Sequence, residues 1–340
     1  MGLERCWYKR SRWLCLLRPL ELLFRSLAAR RRQRYREGAL KSWTAPVPVI
    51  VVGNISVGGT GKSPLVIWLV EYLRQQGYKP GVISRGYRAS PPTTPYFVTS
   101  GSTATEAGDE PLMIVRRTAV PLVISPDRVA AAKLLLEQSG CDLIISDDGL
   151  QHYALNRTLE IAVIDGARGF GNRRCLPEGP LREPVRRLDE VDLVVVNGAL
   201  PETVVDAGHV EKSFLMTLQP GKLVSLSSGS AVVADQWRGS RQVNAVAAIG
   251  NPGRFGKTLE TLGFTPQLRR FPDHHHYSES DLSFEQQLPL IMTEKDAVKC
   301  DHIKLENGWY LQVDAAMEER FSATLDRLLS RWQPAAQSAE

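Results

Sequence analysis

The chain has 340 residues, 43% of them hydrophobic and 23% charged, which is ordinary globular composition with room for two cores. Its five cysteines (6, 15, 141, 175 and 300) are odd in number, scattered and without a CxxC pair, so neither a disulfide framework nor a structural zinc site is expected, and they read as the reduced thiols of a cytoplasmic protein. The net charge of +5 is uneven: residues 1–41 carry twelve Lys/Arg against three Asp/Glu, which leaves −4 for the remainder (5 − 9), so the body has no nucleic-acid-binding signature.

In residues 1–37, Trp13, Leu16, Leu20, Leu23 and Leu27 recur at steps of three and four, which places them on one helical face. Arg18 and Arg25 take another face, a run of arginines follows from Arg30 to Arg36, and Pro19 should kink this helix or begin a second one. No apolar run approaches the roughly 20 residues that cross a bilayer. A signal peptide fits poorly, because Arg18 and Glu21 interrupt the apolar stretch. The pattern predicts a helix over residues 1–40 lying in an anionic membrane surface, with tryptophan and leucine in the acyl boundary and arginines on head groups.

After an Ala45-Pro46-Val47-Pro48 linker, Val49 to Gly53 reads as a buried parallel strand, residues 54–63 as a glycine-rich turn, and Leu65 to Val70 as an opening helix. Strand, loop and helix in that order are the context of a P-loop. Gly58, Gly59, Thr60 and Gly61 would turn backbone N–H groups onto a phosphate chain, Lys62 would reach the terminal phosphates, and Ser63 would offer its hydroxyl to Mg²⁺. Where the strict pattern has its first glycine, this chain has Ser56.

Gly81 to Ser84 is a second strand, ending at Arg85 and Tyr87 on the ligand side of a parallel sheet. Residues 89–102 read as a loop or short hairpin, and Asp109-Glu110 open a helix. Pro121 to Ser125 is a third strand, with a helix predicted over 129–138. Cys141 to Ser146 runs into Asp147-Asp148, the form of a Walker B strand with either acid at the metal. Strands 161–165 and 192–197 enclose a long basic loop, which suits an anionic substrate. Composition shifts near residue 200, so a P-loop domain over 41–204 and a smaller α/β domain over 205–340 are expected. The latter should hold strands at 222–226, 245–249 and 309–313 and helices near 254–263 and 316–332. Its His274-His275-His276 run cannot easily share one ion, and one histidine in acid–base chemistry is expected instead.

Gly-Gly-Thr-Gly-Lys-Ser-Pro (58–64), Ser-Arg-Gly-Tyr (84–87), Gly-Asp-Glu-Pro (108–111), Asp-Asp-Gly-Leu-Gln-His (147–152), Leu-Arg-Glu-Pro (181–184), Phe-Pro-Asp-His-His (271–275) and Thr-Glu-Lys-Asp-Ala-Val-Lys (293–299) occur in this order. Together they resemble the tetraacyldisaccharide 4′-kinases, the lipid A 4′-kinases of Gram-negative bacteria. Partitioning ATPases share the glycine-rich loop but place lysine where this chain has Val57. The resemblance implies transfer of the γ-phosphoryl of MgATP to the 4′-hydroxyl of a tetraacylated disaccharide 1-phosphate, yielding lipid IVA, at the cytoplasmic face of the inner membrane. It also implies two lobes that close on each other, and a monomer is expected. Roles implied for residues here are Lys62 on the phosphates, Ser63, Glu110 and Asp147 around Mg²⁺, and Asp109 as base assisted by His274, with His275 its rival. Arg85, Tyr87, Arg128, Gln151 and Arg182 are implied at the sugar-phosphate head.

Overall fold

A computed structural model describes residues 3–9, 11–199, 210–284 and 287–332. The strands are β1 Val49–Gly53, β2 Pro80–Ser84, β3 Tyr96–Val98, β4 Leu122–Ile124, β5 Leu143–Asp147, β6 Leu159–Asp165, β7 Leu193–Asn197, β8 Ser213–Ser225, β9 Ala231–Val233, β10 Gln242–Ala247, β11 Thr265–Arg270, β12 Leu290–Thr293 and β13 Gly308–Met317. The helices are α1 Leu3–Tyr8, α2 Arg18–Arg36, α3 Lys62–Gln75, α4 Ala104–Ala107, α5 Asp109–Thr118, α6 Arg128–Ser139, α7 Pro252–Thr261, α8 Glu294–Ala297 and α9 Glu319–Leu329.

The thirteen strands among the described residues form one sheet, in the order β11-β10-β12-β13-β8-β7-β6-β1-β5-β2-β4-β3, with β9 on β8. From β7 to β4 every pairing is parallel, and β3 closes the edge antiparallel to β4. The segment read as a loop or hairpin thus contributes an edge strand. Parallel strands with both faces covered are apolar throughout, and period two divides their side chains between faces. Ile50 and Val52 of β1 join one core with Leu143, Ile145, Leu193 and Val195, whereas Val49 and Val51 join the other with Ile144, Val194 and Val196. In the second half, Val243, Ala245 and Ala247 of β10 share a core with Ile291, while Val246 packs with Leu290 and Met292 on the reverse face.

The two halves meet at β8 and β13. The start of β8 runs parallel beside β7, Asn197 opposite Met216, and the strand then continues past the end of β7 to pair antiparallel with β13. β12, β10 and β11 run parallel to β13, so they point back toward β7. The carboxyl ends of both parallel sets therefore open on one crevice, where ligands bind in sheets of this kind.

β8 serves both cores, with Phe214 and Met216 in the first and Leu223 in the second. Helix α9 returns to the first half: Phe321, Leu325 and Leu329, spaced four apart, fill its core, and Phe321 meets Trp68 of α3 edge-on at 5.5 Å. The expected boundary near residue 204 falls in the junction at 200–209, outside the described residues; the sheet runs on past it, and Phe214, Met216, Phe321, Leu325 and Leu329 from beyond it join the first core.

At the N-terminus a 3₁₀ turn, Arg12–Leu17, precedes α2, and Pro19 occupies the first turn of α2, where a missing N–H costs nothing. Trp13, Leu16, Leu20, Leu23 and Leu27 are all about half exposed or more. The opposite side of the segment holds it to the body through Phe24, Arg18 on Glu178 (2.9 Å) and Arg36 on Glu190 (2.7 Å). No helix among the described residues is long and apolar enough to cross a membrane.

Candidate active site

The turn between β1 and α3 is braced from both flanks. Asn54 donates to Gly58 O (3.3 Å) and Thr60 Oγ1 (3.4 Å), and Asn197, the last residue of β7, donates to Thr60 O (3.1 Å). Gly61 has φ +92°, and a Cβ there would collide with the Asn197 side chain, so only glycine fits. Gly58 and Gly59 are exposed, Thr60 and Ser63 are buried, and Lys62 and Ser63 stand in the first turn of α3. Free backbone N–H groups and the positive end of the helix dipole make this an anion cradle.

β5 delivers two acids to the floor of the crevice, in different states. Asp147 is 2% exposed; Ser84 donates to its Oδ2 (3.1 Å), while Oδ1 has no hydrogen-bond partner among the described residues. Burial, and then the charge of Glu110, push its carboxyl up to about 6. Asp148 takes φ +50° and faces Lys62 Nζ (3.5 Å) and Arg182 Nη1 (3.0 Å). Burial opposes its charge, but Lys62 and Arg182 outweigh burial and hold it far below the usual carboxylate range.

Helix α5 begins at Asp109, after Gly108 with φ +83°. Across the crevice His274, itself at φ +62°, places Nδ1 2.8 Å from Asp109 Oδ2. Burial raises the Asp109 carboxyl, but the His274 hydrogen bond and the Lys295 charge prevail and leave it below the ordinary range. Lys295 lies 2.9 Å from Glu110, 3.6 Å from Asp273 and 3.8 Å from Asp109, and despite its burial these acids keep it firmly protonated. His275 instead faces Asp281 (3.1 Å) and stacks on Phe271, and His276 is exposed. Of the three histidines, His274 is the one on Asp109.

The five residues implied at a sugar-phosphate head divide. Arg85 and Tyr87 are exposed beyond the end of β2, and the Tyr87 ring meets His274 edge-on at 5.4 Å. Arg182 is held on Asp148. Gln151 donates to Asn54 O (3.2 Å) and Glu183 Oε2 (2.9 Å). Arg128, 2% exposed, donates to Ser125 O (2.7 Å) and Asp147 O (3.1 Å), and burial lowers it to about 10. Arg128 and Gln151 therefore stand in the crevice wall in this state, Arg128 with two of its donors on backbone carbonyls and Gln151 shared between a carbonyl and the Glu183 carboxylate. Sequence reasoning missed Asn54, Asn197 and Lys295. Asn54 follows β1, Asn197 ends β7 and Lys295 is the second residue of α8, all at the crevice, and that position is the signal that could have found them.

The family model described as tetraacyldisaccharide-1-P 4′-kinase matches residues 13–330. The chain is 52% identical over 332 residues to a tetraacyldisaccharide 4′-kinase of Stutzerimonas stutzeri, covering 98% of this chain and 97% of that one. It is 51% identical over 333 residues to the enzyme of that name from Pseudomonas fluorescens, with the same shares. A crystal structure of LpxK from Aquifex aeolicus in complex with ATP superposes with a TM-score of 0.79 at 29% identity, covering 93% of this chain and 99% of that one. With a matched family model over nearly its whole length and relatives above half identity, the chain belongs to the tetraacyldisaccharide-1-P 4′-kinase family.

Proposed function

We propose that the crevice carries out the reaction of this family, ATP-dependent phosphorylation of the 4′-hydroxyl of tetraacyldisaccharide 1-phosphate to give lipid IVA in lipid A biosynthesis. The observation that carries this assignment to residues is the 2.8 Å contact between His274 and Asp109, made across the crevice from one half of the molecule to the other.

In this reading the first half is a P-loop NTPase-like lobe. The N–H groups of residues 58–61 and the Lys62 ammonium hold the terminal phosphates, and positioning supplies most of the acceleration, because the transition state is loose with charge spread over oxygens. Mg²⁺ fits the acids present: the orphaned, buried Asp147 Oδ1 and the Glu110 charge that raises its carboxyl both call for a cation, with Ser63 completing the protein ligands. Bound there, the ion would neutralise charge on the phosphates. Asp109, kept ionised, accepts the proton of the sugar hydroxyl, and His274 fixes the direction of its carboxylate. Arg85, Tyr87 and Arg182 receive the sugar-phosphate, with Arg128 and Gln151 setting the wall behind them. Because His274 comes from the other half, the base is complete only when the crevice is closed, which limits ATP loss to water.

The division of labour is residues 1–40 on the membrane, 41–204 on the nucleotide and 205–340 supplying the closing face. An acceptor with four acyl chains stays in the bilayer, each buried CH₂ being worth roughly 0.8 kcal/mol, so the enzyme goes to it. The half-exposed apolar stripe beside α2 is suited to that surface, on the cytoplasmic face of the inner membrane where ATP is available. One chain provides every residue named, consistent with a monomer.

Purified protein with labelled ATP and acylated disaccharide 1-phosphate should label the lipid. Lys62→Ala, Asp109→Ala and His274→Ala should each lose most of this activity, and a fully active Asp109→Ala would remove the assigned base.

A further inference from the structure

The run from Thr293 to Lys299 carries two charged side chains that do not reach the crevice. Lys295 lies there, 2.9 Å from Glu110, but Asp296 and Lys299 are 0% and 7% exposed, with Lys299 Nζ 2.7 Å from Asp296 Oδ1. An ion pair this deep contributes little beyond apolar side chains of the same volume, because desolvation offsets the attraction. The second oxygen of the acid has partners of another kind. Asp296 Oδ2 accepts from Thr293 Oγ1 (2.6 Å) and from the backbone N–H of Ala248 (3.1 Å), the residue that follows β10.

That peptide leads to the site. Ala248 O accepts from His274 N (3.4 Å), and one residue earlier Ala247 O accepts from Phe271 N (3.0 Å). Beyond His274 the same segment reaches Tyr277, 3% exposed, whose ring lies 5.1 Å from the Lys299 ammonium. Both members of the pair thus bear on residues 271–277, Asp296 through the Ala248 peptide and Lys299 through the Tyr277 ring. His274 needs such support. Its φ of +62° is unfavourable for a residue with a Cβ and persists only where the surroundings over-determine it. A small backbone rotation there would carry Nδ1 away from its 2.8 Å contact with Asp109.

We propose that Asp296, with Lys299 as its counter-ion, is a positioning residue for the phosphoryl transfer. Its hydrogen bond to Ala248 N–H fixes the segment that presents His274 to Asp109, and Lys299 on Oδ1 keeps Oδ2 turned to that peptide. The inference rests on the reading of Asp109 as base and His274 as its orienting partner given above.

The test compares Asp296→Leu/Lys299→Met with Asp296→Asn/Lys299→Met in the full chain, each with and without His274→Ala. Both pairs remove the two charges together, so no ammonium is left buried alone, and of the two replacements at 296 only asparagine keeps an oxygen for Ala248 N–H. Unfolding midpoints report folding, and kcat and the KM for ATP are measured with labelled ATP and the acylated acceptor. The leucine variant should lower kcat by up to about 10²-fold, the cost of a misplaced group, with the KM for ATP unchanged, and the asparagine variant should recover most of that loss. In the His274→Ala background the leucine variant should cost little more, since no imidazole remains to be misplaced. Wild-type kcat in the leucine variant, or a loss of the same factor with and without His274, overturns the proposal and leaves the pair a part of the core. If the leucine variant does not fold, the same comparison is made on the asparagine one. Its neutral, weaker acceptor should give a smaller loss that again vanishes without His274, and no loss or an undiminished one overturns the proposal. A His274→Ala enzyme with the wild-type kcat would instead remove the reading of Asp109 and His274 on which the inference rests.

Discussion

Asp109 is pulled two ways, by burial that favours the neutral acid and by His274 and Lys295 that favour the carboxylate, and the second pair prevails. If Asp109 is the base proposed above, a carboxylate held below its ordinary range should give a rate that is flat with pH until well into acid. Asp109→Asn should lower kcat by about 10²–10⁴-fold, the usual worth of a general base. If His274 acts through that carboxylate, His274→Gln should cost less, and the double variant should be little worse than Asp109→Asn alone, since residues that act as a unit are not additive. Steady-state kinetics on the three proteins decides this; additive losses would give His274 a separate role. His152 makes a second prediction. Burial, then Arg128 and Arg85, lower its pKa from 6.5 to about 4. Between those values the unfolded chain binds a proton that the folded chain refuses, so stability is full above 6.5 and falls as pH drops toward 4. His152→Gln should flatten the slope of unfolding free energy across that window, measured by denaturant titration at several pH values.

At the scale of elements, the N-terminal stripe is the clearest case of a pattern whose partner is absent from the fold. Leu16, Leu20, Leu23 and Leu27 are 54–76% exposed, so changing all four to serine removes little from the core and should leave the unfolding midpoint almost unchanged. Moving a half-exposed leucine into the acyl boundary contributes about 1 kcal/mol or more, so vesicle binding should weaken by on the order of a hundredfold or more. A sedimentation assay with equal pelleting of both proteins would show that the stripe meets something other than lipid. The parallel strands of the first half were legible because burial on both faces leaves β-branched runs such as Val49 to Val52 and Val194 to Val196, with glycine or an acid at the end. β8, β11 and β13 were partly or wholly illegible for the opposite reason. The middle of β8 is exposed, β11 is an edge strand reading Thr-Pro-Gln-Leu-Arg-Arg, and neither has a periodic apolar signal. Candidate site residues were readable where a loop chemistry demands them, as with Gly61 and Lys62. Asn197 and Lys295 carry only the weaker signal of their place at the crevice, because their partners, Thr60 in the turn, Asp109 and Glu110 across the crevice, and Asp273, are distant in sequence.

Across the whole molecule, the continuity of the sheet through β8 and β13 governs how the halves respond to each other. Both strands have one end in each core, and α9 follows β13 directly back onto α3, where Tyr72 Oη donates to Asp326 (2.7 Å) and Phe321 sits between Trp68 and Phe214. Helix α9 is therefore a clasp on the first half of the molecule, although it follows the second half in sequence. Cutting a buried phenylalanine back to alanine costs about 3–5 kcal/mol when the site cannot collapse, and here the rings of Trp68 on α3 and Phe214 on β8 hold the space open. Phe321→Ala should accordingly lower stability by about that amount. Because β8 and β13 couple the cores, the loss should appear as one shifted transition, with nucleotide-loop and second-half probes moving together. Unfolding followed in parallel by a probe near Trp68 and one near Trp237, which is buried in the second core, makes the comparison. Two separated transitions, with the second-half probe unmoved by the substitution, would mean that the shared sheet transmits no stability between the halves.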